Sequence, residues 1–138
     1  MRHVVFRVAG ERFAIPLAAV REVVVPQPPF ARVPRASEAV RGVMNLRGRV
    51  VAVVDLAALV GLAPQALAGA TGQVLILEHG KRALGFLIAG VVGVEAITPP
   101  EGAAPGLVRG VAPAASGAVT LLGADALAIE AERLFGAR

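Results

Sequence analysis

The sequence predicts an all-β fold with short helices, organised as two pseudo-symmetric five-stranded β-barrels and a C-terminal helix. Three observations predict it. Short runs rich in valine and other strand-forming residues alternate with glycine-containing turns along the chain. The order of these runs repeats at a spacing of about seventy residues. Units of about five short strands bury little core alone and favour small barrels, which remove exposed sheet edges.

The length and the repeat indicate one domain over residues 1–138, with residues 1–70 as the first barrel and residues 71–138 as the second. The connection between the halves is the small-residue segment from Gln65 to Gly72. Neither half is large enough to bury its own core well, so we expect the two halves to pack on one another.

Two hairpins are predicted in the first half. "HVVFRVAG" and "ERFAIPL" meet at Ala9-Gly10-Glu11, and "VRGVMNL" and "RVVAVVDL" meet around Leu46-Arg47-Gly48-Arg49. Glycine supplies the backbone freedom that such turns require. "LAALVGLAP" then predicts a brief helix that ends at Gly61 and Pro64.

The segment "AAVREVVVP" predicts one short helical turn between these hairpins. Val20, Val23 and Val24 recur at spacings of three and four residues, which places Arg21 and Glu22 on the outward face. The prolines that follow then impose an irregular loop.

The second half repeats this plan. "VLILEHGKRALGFLIAGVVGVEAI" matches "VVFRVAGERFAIPLAAVREVVV", so Val91 and Val94 correspond to Val20 and Val23. The string "VRGV" occurs once in each half and supports the same alignment. The last segment, "DALAIEAERLFGAR", predicts a closing helix whose apolar face carries Leu127, Leu134 and Phe135.

Composition favours a protein that works through partners. Hydrophobic residues make up 56% of the chain and charged residues 17%, so aliphatic side chains must remain near the surface. The net charge of +4 comes mainly from dispersed arginines, and without Trp or Tyr this is a weak signal for nucleic-acid binding. The absence of Cys excludes disulfides and thiolate metal sites and agrees with a cytoplasmic location.

The sequence predicts no direct membrane insertion. The longest apolar run, residues 83–94, is too short to cross a bilayer. Charged residues interrupt the N-terminal segment every few positions, which does not fit an export signal.

The residues that carry catalysis are nearly absent, so we expect no enzyme, no catalytic residue, no cofactor and no metal. There is no Cys, and no Ser lies in a pattern typical of a catalytic triad. His79 is predicted to be a solvated turn residue, and His3 to begin an edge strand. Asp55 and Asp125 stand at matched points of the two halves, where each is expected to cap the turn that follows it.

The stretch "RGVMNLRGRVVAVVDL" is the strongest candidate for a functional surface. Glu22 can fix the Arg47 guanidinium bidentately and give it a defined direction. Asn45 can bond local backbone and hold the entry to the turn. Gly42 has no side chain, so another backbone or a partner can approach there. An aliphatic surface with one oriented charge pair fits a protein interface, although a hairpin with solvated arginines is the simpler interpretation.

"GVMNLRGRVVAVVDL" resembles the signature of the CheW-like family, the adapter proteins of bacterial chemosensory arrays. The resemblance covers nearly the whole chain, because the hairpin, the "VREVV" segment, the proline loop and the C-terminal helix come in the family's order. It implies two intertwined five-stranded SH3-like barrels and no enzymatic activity. It also implies a cytoplasmic protein that couples the tips of chemoreceptors to the CheW-like regulatory domain of a histidine kinase.

The resemblance also implies which residues bind partners. The groove between the barrels is expected to receive the receptor helix and the end of the first barrel to meet the kinase. Val91 and Val94 are included because the repeat places them opposite the first-half contacts. The partner-binding candidates are Val20, Glu22, Val23, Arg41, Gly42, Asn45, Arg47, Val91 and Val94.

Two alternatives remain open at this point. The strand before the aspartate has Ala52 where the family commonly has proline, and the second half is rich in Ala and Gly. These departures also fit a divergent adapter that binds receptors and couples weakly or not at all to the kinase. The basic charge and the barrel prediction fit a small nucleic-acid-binding barrel, whose binding would weaken steeply with salt.

Overall fold

The computed structural model describes residues 1–34, 36–65, 71–102 and 106–135. The described segments form two five-stranded sheets, two helices and a single 3-10 turn at Leu17–Ala19. The strands are β1 (Arg2–Val8), β2 (Glu11–Pro16), β3 (Val20–Val24), β4 (Val40–Leu46), β5 (Arg49–Asp55), β6 (Gln73–His79), β7 (Arg82–Ile88), β8 (Gly90–Ala96), β9 (Val108–Ala114) and β10 (Gly117–Leu122). The helices are α1 (Leu56–Leu59) and α2 (Ala124–Phe135).

The two sheets have the same strand plan. Sheet A has the order β8-β1-β2-β10-β9, and sheet B has the order β3-β6-β7-β5-β4. Replacing each strand by its counterpart in the other half converts one order into the other. Each sheet contains one parallel strand pair, β2 with β10 in sheet A and β7 with β5 in sheet B, and the two pairs occupy equivalent positions. The predicted fold class and its pseudo-symmetry are confirmed.

The sheets do not coincide with the halves of the sequence, and this corrects the expected division into residues 1–70 and 71–138. Sheet A combines β1 and β2 of the first half with β8, β9 and β10 of the second. Sheet B combines β3, β4 and β5 with β6 and β7. The halves therefore exchange their first hairpins. Residues 66–70, within the predicted connection, lie outside the described residues.

Three apolar clusters explain why the sequences of several strands are hydrophobic at nearly every position. A central cluster lies between the sheets, and each sheet packs a smaller cluster on its opposite face. In β1, Val4 and Phe6 belong to the central cluster while Val5 belongs to the cluster of sheet A. In β7, Phe86 faces the central cluster and Leu87 the cluster of sheet B. Strands buried on both faces lose the alternation of polar and apolar residues.

The predicted hairpin turns are confirmed. The turn Ala9-Gly10 has positive φ at both residues, +49° and +82°, as does Arg47-Gly48, at +52° and +84°. Two successive residues with positive φ give the turn whose twist matches that of the flanking strands. The prediction of an edge strand at His3 is wrong, because β1 lies between β8 and β2 and His3 is buried.

The predicted helical turn at "VREVV" is also wrong. Val20–Val24 forms strand β3, and the only helical residues beside it are the 3-10 turn just before it. β3 pairs with β6, with Val23 opposite Leu75 and Val24 opposite Val74. Valine favours a pleated, half-buried strand, and that pairing outweighs the helical spacing of its side chains.

Helix α2 closes the molecule as predicted. Leu127, Ala128 and Ala131 are buried in the central cluster, and Leu134 packs at its edge. Asp125 is exposed and lies within the first turn of α2. The residue that precedes the helix is Gly123, so Asp125 is not the predicted cap. Residues 136–138, the end of the predicted segment, lie outside the described residues.

Candidate functional site

The turn between β4 and β5 presents Arg47 to solvent. The Arg47 side chain is 66% exposed, and the Arg47 backbone has a left-handed conformation. Asn45 Oδ1 accepts a hydrogen bond of 3.0 Å from the Gly48 amide, which holds the turn from its entry as the sequence predicts. The geometry of this turn therefore fixes where the Arg47 side chain starts.

Arg47 forms the predicted ion pair with Glu22. The Arg47 Nη2 atom donates to Glu22 Oε1, with the Glu22 side chain 29% exposed on β3. One guanidinium nitrogen is engaged, so the pair is not the bidentate arrangement expected. The contact joins the β4–β5 turn to an edge strand of sheet B and orients an exposed cation beside apolar residues.

A second ion-pair group lies beside the first. Glu78 on β6 accepts from Arg21 on β3 and, at 3.4 Å, from Arg49 on β5. Arg21, Arg49, Glu22 and Arg47 line a small depression of about 110 Å³ together with residues of the sheet B cluster. Charged side chains therefore border this end of the sheet B cluster. Sequence reasoning missed this group because Arg21 and Glu78 are far apart in the chain and nothing in the local pattern pairs them.

Arg41 points into the molecule rather than towards a partner. Its Nη2 donates to the Gln65 carbonyl at 2.6 Å and lies 3.9 Å from Asp55 Oδ2. Asp55 is buried, caps α1 through the Ala57 amide at 3.0 Å, and also accepts from the Gln65 amide at 2.9 Å and Nε2 at 2.8 Å. The predicted cap at Asp55 is confirmed. This network holds the chain that leaves α1.

Gly42 is buried and is approached by the chain's own backbone. Its φ is +134°, and a Cβ there would lie 2.5 Å from the Ala31 carbonyl oxygen. Ala31 and Val43 exchange two backbone hydrogen bonds of 2.9 Å. The close approach expected at Gly42 is therefore made by the loop that leads into β4.

The four valine candidates lie on two edge strands, one from each sheet. We call Val20, Val23, Val91 and Val94 the valine set. Val20 and Val23 pair with strand β6, and Val91 and Val94 with β1, opposite residues of the central cluster. Three are half-buried against that cluster, whereas Val94 is 46% exposed.

Gln73 links the edge strand of sheet A to sheet B. It begins β6, the neighbour of β3, and its Oε1 accepts a hydrogen bond of 2.8 Å from the Val91 amide of β8. This contact lies one residue beyond the end of the β3–β6 pairing at Val24 and Val74. Val20, Val23 and Val91 pack against the same central cluster.

Glu95 joins β8 to the turn between β9 and β10. Its carboxylate accepts from the Ser116 hydroxyl at 2.8 Å and the Ser116 amide at 3.3 Å. The hydrogen bond from the Ser116 hydroxyl holds the pKa of Glu95 below its ordinary value, and Arg12 contributes in the same direction. This contact links the two edge strands of sheet A.

The described residues show no arrangement for metal binding, since none of their acidic and histidine side chains group in threes. His79 Nδ1 lies 2.8 Å from Glu132 Oε1, so this histidine is paired with α2 rather than simply solvated as predicted. Neither helix in the described segments is long and apolar enough to span a membrane.

Comparison with known proteins decides the family. The profile of the CheW-like domain matches residues 2–138. The chain belongs to the CheW-like domain family. CheW proteins of this family are non-enzymatic scaffold and adapter proteins.

Individual relatives agree with this assignment. The probable chemotaxis protein CheW of Rhizobium etli is 30% identical over 95 residues, which cover 69% of this chain and 60% of that protein. The protein PilI of Pseudomonas aeruginosa is 31% identical over 90 residues, which cover 65% of this chain and 49% of that protein. The match therefore spans about half to three fifths of the length of these curated relatives.

A solved structure confirms the fold. The CheW-like domain aligns with the scaffolding protein TtCheW of Thermoanaerobacter tengcongensis at a TM-score of 0.73 and 24% identity. The alignment covers 88% of each chain. The SH3-like architecture predicted from the resemblance is thus shared over most of the molecule.

Proposed function

We propose that this CheW-like domain is a cytoplasmic adapter that couples the tips of chemoreceptors to the CheW-like regulatory domain of a histidine kinase. The carrying observation is the valine set, because it places partly accessible apolar side chains on one edge strand of each sheet, all of them paired with residues of the central cluster. An amphipathic helix such as a receptor tip binds a surface of this kind through its apolar face.

The Arg47–Glu22 pair supports the second contact. The pair is exposed and has a fixed direction. Glu22 stands between Val20 and Val23 on β3, but it pairs with Ile76 of the sheet B cluster, whereas the two valines pair with residues of the central cluster. Charges at the rim of an interface set register and association rate, while apolar area supplies affinity. We assign the pair to the kinase contact, in keeping with the expected use of the first barrel's end.

Titration calorimetry with two ligands tests the proposal. The ligands are a receptor tip fragment and the kinase regulatory domain from the same cells. We expect Val94→Asp to weaken receptor binding by about ten-fold or more, because it places a charge in an apolar contact. Val111→Asp is the matched control, since Val111 is an exposed valine on β9, away from the set.

Charge reversal separates the two contacts. We expect Glu22→Lys or Arg47→Glu to weaken kinase binding and leave receptor binding unchanged, and the double reversal to recover part of the loss because it restores the pair. Equal binding of both ligands by all variants would remove the basis for these assignments. Failure of the unaltered protein to bind either ligand would refute the adapter role.

A further inference from the structure

We propose that the end of sheet B carries a second docking surface, for an acidic protein segment with an apolar side chain among its carboxylates. We call it the basic depression, lined by Arg49, Val50, His79, Lys81, Arg82 and Glu132, with a volume of about 660 Å³. It goes beyond the proposed adapter role. The basic depression adjoins the Arg47–Glu22 pair, since Arg49 borders both, but this partner chemistry belongs to neither of the contacts assigned above.

Strand register builds the basic depression. β5 and β7 run parallel with Ala52 beside Leu84, so stepping back along both strands places Arg49 and Val50 next to Lys81 and Arg82. His79 pairs with Arg82 across the β6–β7 hairpin. Residues from two separate hairpins therefore converge at one edge of the sheet.

The charges of the basic depression are only partly neutralised. Arg49 shares Glu78 with Arg21, and His79 pairs with Glu132. Lys81 and Arg82 are exposed, and among the described residues they have no ion-pair partner. The surface therefore retains positive charge that carboxylates of a partner can neutralise.

Val50 supplies the apolar element. Its side chain is 72% exposed although it sits in the middle of the charged residues. An exposed valine framed by cations matches an acidic segment that places an apolar side chain beside its carboxylates.

The pseudo-symmetric end of sheet A lacks this arrangement. Gly117 and Ala118 replace Arg49 and Val50 there, and Arg12 lies directly over Gly117. Glu95 also contributes negative charge near that turn through its contact with Ser116. The basic surface is thus specific to one of the two equivalent sheet ends.

A protein partner fits better than a nucleic acid. No Phe lines the basic depression, so there is no platform on which a base could stack. Glu78 and Glu132 neutralise part of the positive charge for any anionic partner, so the absence of a stacking platform and the exposed Val50 decide between the two classes. The chemistry favours carboxylates with an apolar neighbour.

Fluorescence anisotropy at low salt tests this inference with three probes. They are a labelled peptide of repeated Glu-Glu-Leu units, a peptide of the same charge with serine in place of leucine, and an oligothymidylate of similar charge. The variants are R49Q/K81Q/R82Q and Val50→Ser. The matched control R2Q/R7Q/R32Q removes the same charge from exposed arginines elsewhere.

We expect the leucine peptide to bind most tightly. R49Q/K81Q/R82Q should weaken the binding of this peptide about ten-fold, whereas the control variant should weaken it less than about two-fold. Val50→Ser should weaken the leucine peptide and leave the serine peptide unchanged. Equal losses in both triple variants, equal binding of the two peptides, or no binding by the unaltered protein would overturn the inference. Tighter binding of oligothymidylate that R49Q/K81Q/R82Q abolishes would overturn it in favour of a nucleic acid.

Discussion

At the scale of single residues, the signature stretch contains both solvent-exposed side chains and residues that hold the backbone. Arg47 and Gly42 belong to the same signature stretch. Arg47 is two-thirds exposed, whereas Gly42 is buried under Ala31. We therefore expect a substitution at Gly42 to act through folding, and one at Arg47 to act through the proposed kinase contact.

Gly42→Ala should lower the free energy of unfolding by about 3 kcal/mol, because it combines an unfavourable φ with a clash against backbone. Chemical denaturation measures the change. Gly48→Ala is the matched control: its φ is +84° and a Cβ there meets nothing within 4 Å, so only about 1 kcal/mol is expected. Similar losses at both positions would show that the Ala31 contact is unimportant.

Ser116→Ala should raise the pKa of Glu95 towards its ordinary value, because the hydroxyl is the main group that stabilises the carboxylate. A lowered pKa in the folded state stabilises the protein above the ordinary carboxyl range, and that contribution disappears as the pH falls through the folded-state pKa. The stability difference between the two proteins should thus be present at neutral pH and shrink in acid.

Carboxyl NMR titration measures the Glu95 pKa directly. The Glu130 carboxyl serves as an internal control, since Arg133 holds its pKa low independently of Ser116. Unchanged titration of Glu95 in the variant would contradict the assigned cause.

At the scale of elements, the short helix α1 depends on one buried carboxylate. Asp55 caps α1, accepts two hydrogen bonds from Gln65, and lies near Arg41. A four-residue helix has little stability of its own, so its position is set by this network and by Leu56 and Ala57 in the core.

Asp55→Ala should cost about 3–5 kcal/mol of folding free energy, because it leaves the buried Ala57 and Gln65 donors without their acceptor and removes the carboxylate 3.9 Å from the Arg41 guanidinium. Asp125→Ala is the control from the other half: Asp125 is exposed in the first turn of α2 and should cost about 0.5 kcal/mol. Thermal or denaturant unfolding gives both values. Equal losses of stability in the two variants would contradict the different roles of the buried Asp55 and the exposed Asp125.

Among the elements, prediction from sequence succeeded where the signal was local. The turn at Arg47-Gly48, the cap at Asp55 and the closing helix each follow from a few neighbouring residues. Val20–Val24 failed because three valines at helical spacing also suit a strand, and pairing with β6 decided between them. The Arg47–Glu22 pair was predictable because the sequence offers few acids near that turn, but the Arg21–Glu78–Arg49 group depends on distant strand register.

At the scale of the whole molecule, the sequence repeat predicts two equivalent sheets but not how the halves share them. The strands of both halves are similarly apolar, so their composition does not specify which half supplies a neighbour. The structure places β3 against β6 and β2 against β10, pairings that no local pattern encodes. The division of residues 1–70 from 71–138 was wrong for that reason.

Fragments 1–70 and 71–138 should each be unfolded alone and should regain native structure when mixed. In the first fragment β3 lacks β6, the strand with which it pairs, and β5 and β2 each lose a neighbour. Two-dimensional amide NMR of each fragment, of the mixture and of the intact chain checks this. A dispersed spectrum from either fragment by itself would show that half a chain suffices for a stable fold.

The exchange of hairpins between the two sheets also constrains the protein's history. Each repeat copy supplies two strands to the sheet that contains the other three strands of its counterpart. Neither copy can therefore be deleted, replaced or recombined with a relative on its own, because both sheets would lose strands. The two copies must therefore be inherited together as one unit, although both still show the strand plan of a single shared repeat.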